Sequence, residues 1–285
     1  MSAKNKKKKS IHIMSIVVFI FLSLWCLSMI ACLFWLVNNS LKGQLEYEYS
    51  QVTLATEPLK YLHNYLDAFT EMTVKGNNML NMLFNTIWVT CGNIGLQLIS
   101  GVTFSYVIAR YKFPGRNVIY WTVIVRMMLV VVGGLSATYR LYDALHLTNS
   151  PLFLITNLSG TAGFLVYYSV FKGISKDYAE SAFIDGASHW KVFYKVMLPH
   201  ASGAMIAMVI PSFIANWNEY MTYILYLDKY PGIAAGIYYF KLASEHHNYP
   251  MLLAAVVMSI IPAVAVFACF QKYFINIDIS GGLKG

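Results

Sequence analysis

Six long apolar runs, separated by polar connections, constrain the fold of this 285-residue chain more than any other feature. A helix needs about 20 apolar residues to cross the hydrocarbon core of a bilayer. Runs of that length lie near residues 11–37, 78–109, 117–138, 151–171, 204–226 and 249–271. We therefore expect an all-α, polytopic membrane protein with six transmembrane helices that together form a single domain over residues 11–271.

The composition excludes a soluble globular protein, because 58% of the residues are hydrophobic and only 12% are charged. The lysine-rich stretch at residues 4–9 precedes an apolar run and so resembles the start of a secretory signal peptide. That run is too long for a signal peptide, and no small-residue cleavage pattern follows it. We interpret the first run as a retained transmembrane helix.

The distribution of lysine and arginine predicts the orientation, since these residues resist translocation in short loops near helix ends. With the N-terminus inside, 14 of them fall in cytoplasmic segments and six fall in outer loops. The prediction places four segments in the cytoplasm: the basic N-terminus (1–10), the short connection at 110–116, a loop at 172–200 and the C-terminal tail (272–285). Both termini are then cytoplasmic.

The net charge of +8 has two interpretations, nucleic acid or anionic lipid as the partner. The basic residues follow one membrane face without a soluble domain to present them, which favours lipid headgroups and excludes nucleic acid. The cysteines fall inside predicted spans without CxxC spacing, and His246-His247 has no further ligands nearby, so we expect no disulfide and no metal site. These cysteines are Cys26, Cys32, Cys91 and Cys269.

The polar loop at 172–200 predicts two short helices at the membrane surface. Asp177 is suited to cap a helix whose first turn contains Glu180. Gly186 permits a tight turn after it, and Pro199 is expected to break the second helix before the fifth span begins. An amphipathic hairpin lying on lipid is the alternative interpretation of this loop.

The residue pattern of this loop resembles the EAA loop of ATP-binding-cassette importer permeases. One departure is Ser181, where that family most often has alanine. The resemblance implies the type I ABC importer permease fold and a loop that contacts a cytoplasmic ATPase. The residues that would carry this coupling are Glu180, Ser181, Ala182, Asp185, Gly186, Ala187, Leu198 and Pro199.

Further segments resemble the second permease subunit of maltose-type sugar importers. They are Asn85-Thr86 and the stretches at 109–116, 216–220, 271–274 and 282–285. The resemblance implies carbohydrate transport across a bacterial plasma membrane, a partner permease subunit, two ATPase subunits that bind ATP and Mg, and an external solute-binding protein. It also implies that the C-terminal tail reaches into the ATPase dimer.

The chain contains no G-x-x-x-x-G-K-[ST] motif, which is the loop that cradles nucleotide phosphates. It also lacks a Ser-His-Asp or paired-carboxylate arrangement. We therefore expect a transport subunit that is not an enzyme and binds no cofactor, with ATP hydrolysed by another chain.

Charged and polar residues within the spans are the candidates for lining a translocation path, because a charge at the bilayer centre must face protein or water. They are Arg126, Trp217, Asn218, Glu219 and Tyr220. Interhelical or inter-subunit contacts are the alternative role for these residues. For the protein as a whole, a permease for a polyamine, an amino acid or a phosphodiester is the alternative to a sugar permease. A secondary transporter is disfavoured because no inverted repeat is visible.

Overall fold

The computed structural model describes residues 13–129, 133–159, 161–242 and 248–275. The described chain is helical, and its one isolated antiparallel bridge joins Val74 and Asn77. This agrees with the predicted all-α class. The N-terminal lysine run, His246-His247 and the tail beyond residue 275 lie outside the described residues.

The described α-helices vary from 4 to 32 residues in length. In chain order they are α1 (Ile13–Ser40), α2 (Gln44–Tyr49), α3 (His63–Thr70), α4 (Met79–Arg110), α5 (Arg116–Met128), α6 (Leu135–Ala144), α7 (Phe164–Gly173), α8 (Asp177–Ile184), α9 (His189–Val192), α10 (Leu198–Trp217), α11 (Met221–Tyr226), α12 (Ile233–Leu242) and α13 (Tyr249–Ile275). Short 3-10 helices occupy Lys60–Leu62 and Pro151–Asn157, and a π turn occupies Phe193–Met197.

Within the described residues, four helical stretches are long and apolar enough to cross a bilayer: Met14–Ser40, Met79–Arg110, His189–Trp217 and Tyr249–Gln271. The predicted first, second and sixth spans agree closely with three of these. The predicted fifth span, 204–226, is interrupted, because α10 ends at Trp217 and α11 starts only at Met221.

The third and fourth predicted spans are not single continuous helices. Helix α5 has 13 residues, a rise of about 20 Å against the roughly 30 Å of a hydrocarbon core. The 151–171 run forms a 3-10 helix, then passes through Gly163 at φ +69° before α7 begins. Glycine backbone freedom breaks the helix at that point, a feature that hydropathy does not register. The count of six spans therefore stays a prediction.

The chain divides into two compact units, and the described residues of the smaller one are 13–68 and 248–257, which include α1, α2, most of α3 and the start of α13. Most apolar side chains of α1 are exposed, as a lipid-facing helix requires. At its end, the Asn64 side chain donates to the carbonyl oxygens of Ser40 (2.9 Å) and Lys42 (3.0 Å). The buried Lys42 ammonium donates in turn to the Ser50 carbonyl (2.9 Å). These bonds order the connection after α1.

The larger unit is built around α4, which packs against α7, α10, α12 and the 3-10 helix at 151–157. Two polar residues of α4 hold the chain that leads into α12. The Asn85 side chain donates to the Pro231 carbonyl (3.1 Å), and the Ile233 N–H donates to the Thr86 hydroxyl (2.8 Å). Both polar side chains are buried and satisfied, so the Asn85-Thr86 pair has a structural role in joining α4 to α12.

A buried apolar cluster forms where α4, α7 and α10 approach the α8–α9 segment. Its members are Val102, Tyr106, Tyr167, Phe171, Val192, Phe193, Met197 and Ala201, and we call it the hairpin core. Helix α9 and the π turn contribute Val192, Phe193 and Met197 to it. The loop at 172–200 is therefore packed onto the helical bundle rather than suspended from it.

Candidate functional site

The helical hairpin formed by α8 and α9 contains the residues that the sequence assigns to ATPase coupling. Asp177 is the first residue of α8 and not its cap, contrary to the expectation above. Its carboxylate accepts a hydrogen bond from the Ser175 hydroxyl (2.9 Å), and its own N–H donates to Ser175 Oγ (3.3 Å). The N-cap residue is Lys176, whose side chain makes no capping bond, so Ser175, one residue earlier, satisfies a free N–H of the first turn.

Helix α8 ends in a Schellman motif centred on Gly186. The Gly186 N–H donates to the Phe183 carbonyl (3.0 Å), and the Ala187 N–H donates to the Ala182 carbonyl (2.9 Å). Gly186 has φ +75°, the left-handed conformation that this motif requires. The predicted turn at Gly186 is thus confirmed, with both terminal carbonyls of α8 satisfied.

The second arm of the hairpin, helix α9, begins at His189. The Ser188 hydroxyl caps α9 by accepting from the Lys191 N–H (3.4 Å). The expected break at Pro199 is wrong, since helical structure continues from His189 to Trp217. The π turn, closed by the Leu198 N–H on the Phe193 carbonyl, widens the helix just before the proline. Pro199 directly follows this π turn, in the first turn of α10, so the wider turn accommodates a residue that has no N–H to donate.

The hairpin has an inner and an outer face. The coupling residues that are half-buried and pack against the hairpin core are Ala182, Ala187 and Leu198. Those that are exposed are Glu180, Ser181, Asp185, Gly186 and Pro199. The small alanines therefore let the hairpin approach the bundle closely, while the polar members of the motif face outward.

Large apolar side chains share the outer face with these polar residues. Ile184 is 86% exposed and Trp190 is 65% exposed. Exposed apolar side chains grouped on one surface mark a contact site for another molecule. The exposed charges of the hairpin are of both signs, Glu180 and Asp185 with Lys191 and Lys195, and such a mixed surface matches a folded protein better than a uniformly anionic lipid surface. The geometry thus favours a protein partner over the alternative of a hairpin lying on lipid.

A polar cavity of about 280 Å³ lies between α4, the 3-10 helix and the α10–α11 junction. It is lined by Val89, Asn93, Phe153, Thr156, Asn157, Ala215, Asn216, Glu219, Thr222 and Tyr223. Asn93 joins its walls, because its Nδ2 donates to Asn216 Oδ1 (2.8 Å) and its Oδ1 accepts from Asn157 Nδ2 (2.7 Å). Gln97 Nε2 donates to Asn157 Oδ1 (3.2 Å), which completes a chain of four carboxamides.

This amide chain lies deep within the helical bundle. Asn93 is 6% exposed and stands near the middle of the 32-residue helix α4, about 20 Å of helix rise from either end. Carboxamides at that depth must find hydrogen-bond partners, and those that face a cavity offer donors and acceptors to a solute. The cavity has the chemistry of a site for neutral, hydroxyl-rich molecules.

The five residues that the sequence assigns to a translocation path do not form one site. Glu219 lines the polar cavity, where its carboxylate also accepts from the Thr222 N–H (3.0 Å) and so caps α11. Arg126 lies on α5 in a separate groove with apolar neighbours such as Trp121 and Val125. It does not share the cavity with Glu219.

The remaining three residues make local contacts. Trp217 is 3% exposed, and its indole N–H donates to the Ser259 carbonyl (2.9 Å). Asn218 donates to the Ile214 carbonyl of its own helix (2.8 Å), and Tyr220 stacks on Tyr238 with 5.0 Å between ring centroids. The buried Trp217 ring belongs to helix packing, the alternative that the sequence left open for it.

Sequence reasoning missed Asn93 and Asn157 as cavity residues, and Gln97 as the residue that extends their hydrogen-bond chain. The signal was present, because Asn93 and Gln97 are four residues apart in an apolar run and so share one face of a helix. The role of Asn157 was harder to predict, since this residue ends a 3-10 helix within a run that the sequence analysis interprets as a continuous span. Among the described residues, no group of three His, Cys, Asp or Glu side chains is arranged to hold a metal ion.

Residues 101–276 match the family described as the binding-protein-dependent transport system inner membrane component. The chain is similar to the diacetylchitobiose uptake system permease protein of Streptomyces coelicolor, with 28% identity over 88% of this chain and 83% of the relative. It is similar to the arabinooligosaccharides transport system permease protein of Bacillus subtilis, with 28% identity over 94% of each chain. An sn-glycerol-3-phosphate transport system permease protein of Yersinia enterocolitica shares 30% identity over 68% of this chain and 71% of its own.

A solved structure also has this fold. The chain superposes with a TM-score of 0.75 on a chain of a bacterial ABC transporter involved in the import of the acidic polysaccharide alginate. The alignment covers 96% of this chain and all of the other at 20% sequence identity. The fold is thus that of an ABC importer permease, as the EAA-like loop predicts.

Proposed function

The chain belongs to the family of binding-protein-dependent transport system inner membrane components, and on that premise we propose that it is the permease of an ATP-driven carbohydrate importer. Membership of the family makes it a multi-pass membrane subunit of a transport system and not a catalytic chain. We further propose that it forms half of a translocation path beside a second permease subunit. An external binding protein would deliver the solute.

The observation that carries the coupling role is the outer face of the α8–α9 hairpin. It exposes the carboxylates Glu180 and Asp185 together with the large apolar side chains Ile184 and Trp190. Such a surface fits a cleft on a folded ATPase subunit that offers an apolar floor and basic residues at its edge. In our proposal, closure of an ATPase dimer around ATP and Mg displaces the hairpin. The hairpin core transmits that displacement to α4, α7 and α10.

The orientation follows from the same assignment. If the hairpin meets an ATPase, residues 172–200 face the cytoplasm, and the distribution of lysine and arginine then places both termini on that side. The protein would lie in the plasma membrane of a bacterium. Binding of the C-terminal tail to the ATPase dimer stays a prediction, because the tail lies outside the described residues.

The polar cavity supports a neutral carbohydrate as the solute. Three carboxamides, three hydroxyls and one carboxylate among the described lining residues provide hydrogen bonds to sugar hydroxyls, and no lysine or arginine is among them. Two of the relatives are named as permeases for diacetylchitobiose and arabinooligosaccharides, which are neutral sugars.

A second candidate solute is an organic phosphate, because one relative is named for sn-glycerol-3-phosphate transport. The electrostatics of the cavity disfavour this candidate. The only charged side chain among its described lining residues is Glu219, which would repel an anion. We therefore propose a neutral mono- or oligosaccharide over a phosphate ester.

Purification of the assembled complex through a tag on this chain would test the function. We expect an ATPase subunit and a second permease to copurify, and a binding protein to associate when solute is added. A thermal-shift screen of that binding protein against neutral sugars, uronic acids and sugar phosphates would then identify the solute class. Absence of an ATPase would contradict the importer role, and stabilisation by sugar phosphates alone would contradict the neutral-sugar assignment.

A further inference from the structure

A basic cleft of about 370 Å³ opens where α4 ends, α5 begins and α7 ends, with α8 along one side. Five cationic side chains line it, with Glu180 as the one carboxylate among its described lining residues. The cations are Arg110, Lys112, Arg116, Lys172 and Lys176. They come from two separate stretches of the chain, 110–116 and 172–176, so the fold concentrates positive charge in one concave place.

The charges of this cleft are not neutralised within the described part of the chain. The ion pairs found among the described residues do not include any of these five cations. Lys172 only stands over the Tyr168 ring, 5.7 Å from its centroid, and Arg110 Nη2 donates to the Ile174 carbonyl. The Nε–H of Arg110 is buried and has no acceptor among the described residues. A buried donor without an acceptor, amid like charges, indicates that an anion belongs in the cleft.

We propose that the cleft binds the phosphate of an anionic phospholipid headgroup. It lies at the end of α4, one of the helices able to cross a bilayer, where headgroups are found. Beyond Arg116, the next turns of α5 expose Val118 (70%) and Trp121 (63%), which suit the boundary between headgroups and acyl chains. Basic pockets between transmembrane helices bind phosphate headgroups in this way.

The cleft also connects lipid binding to the hairpin. Glu180 and Phe183 of α8 line the same cavity as the five cations. A bound phosphate would contact the α4–α5 connection on one side and the start of α8, through Lys176, on the other. The lipid would therefore hold the hairpin against the bundle and so support the coupling role proposed above. The lipid site itself requires only that α4 spans the membrane, and not that the coupling role is correct.

Native mass spectrometry of the full-length chain, with the subunits that copurify with it, would test this site. After exchange into equal mixtures of phosphatidylglycerol and phosphatidylcholine, we expect selective retention of phosphatidylglycerol. Lys172→Gln and Arg116→Gln should each lower that retention, by roughly fivefold per charge removed. Lys172 is exposed, so its substitution leaves the fold intact. Lys191→Gln and Lys195→Gln remove exposed charges outside the cleft and should retain the lipid like the unmodified chain.

Three results would overturn the assignment. Equal losses in the Lys191 and Lys172 variants would indicate unspecific attraction to a basic surface. Displacement of the lipid by millimolar inorganic phosphate would assign the cleft to a free anion. Retention only in preparations that lack the ATPase would make the cleft a protein contact. The readout is lipid binding and not uptake, so a failure of the carbohydrate assignment leaves this test intact.

Discussion

The backbone N–H of Ala187 donates to the carbonyl oxygen of Ala182 at 2.9 Å, across the left-handed residue Gly186. This bond fixes the angle between the two arms of the hairpin. Both alanines also pack against the hairpin core, so the turn and the packing are set by the same pair. The outer face that carries Glu180 is thereby held in one orientation relative to α4, α7 and α10.

Gly186→Ala should weaken the hairpin through backbone strain alone. A Cβ at this position would meet no atom within 4 Å, so no steric clash contributes. The left-handed conformation costs a residue with a Cβ about 1–2 kcal/mol. We expect normal membrane insertion with reduced ATP-driven uptake, measured in proteoliposomes against the amount of complex.

Gly203→Ala is the matched control, because Gly203 lies within α10, lacks a positive φ and also has open space around its Cα. It should transport normally. Gly186→Asn should recover part of the lost uptake, since asparagine tolerates the left-handed region better than alanine. Equal uptake by Gly186→Ala and Gly203→Ala would show that the Schellman motif does not matter for coupling.

Asn93→Ala should destabilise the larger unit. The substitution leaves Asn157 Nδ2 and Asn216 Oδ1 without the partners that they have now, and a buried unsatisfied polar group costs about 1–3 kcal/mol. Thermal unfolding of the purified complex would measure the effect. Asn218→Ala removes an exposed asparagine that bonds only its own helix, and its melting temperature should stay near that of the unmodified chain.

Trp217→Phe separates a packing role from a solute-binding role. The substitution removes one hydrogen bond to the Ser259 carbonyl, which is worth about 1 kcal/mol net, and keeps an aromatic ring against Phe213. We expect a slightly lower melting temperature and an unchanged solute concentration at half-maximal uptake. A shift of that concentration without loss of stability would place Trp217 in the translocation path instead.

Glu219→Gln and Glu219→Ala distinguish the charge of this residue from its hydrogen bond. Glutamine keeps an oxygen for the Thr222 N–H, so both stability and uptake of a neutral sugar should persist. Alanine removes the cap of α11 at a cost of about 1 kcal/mol and also removes a cavity wall. Loss of uptake in the glutamine variant would mean that the charge itself is required, against a simple hydroxyl-binding role.

The sequence was sufficient for the parts of the fold that depend on length and local pattern. The lengths of α1, α4 and α13 follow from hydropathy, and the turn at Gly186 follows from the conformational freedom of glycine. The breaks within the third and fourth predicted spans do not follow from hydropathy, because each break depends on backbone geometry at a few residues such as Gly163. Hydropathy averages over such positions.

Contacts between residues far apart in the sequence were the second feature that could not be predicted. Asn93 and Asn216 are separated by 123 positions, and nothing in the local pattern of either residue indicates its partner. Trp217 looked like a residue for stacking on sugar because an aromatic next to polar residues has that chemistry. Its burial and its bond to Ser259 depend on α13, which lies far along the chain. The prediction of a helix break at Pro199 is wrong because the π turn accommodates the proline within a continuous helix.

The central claim, that the α8–α9 hairpin couples transport to an ATPase, is tested most directly by reversing the charge of Glu180. ATP hydrolysis and solute uptake would be measured on the same proteoliposomes for Glu180→Lys and for Glu71→Lys, an exposed carboxylate far from the hairpin in sequence. We predict that Glu180→Lys inserts normally, abolishes uptake and removes the stimulation of ATP hydrolysis by the loaded binding protein, while Glu71→Lys retains both activities. Uptake by Glu180→Lys equal to that of the unmodified protein would contradict the claim.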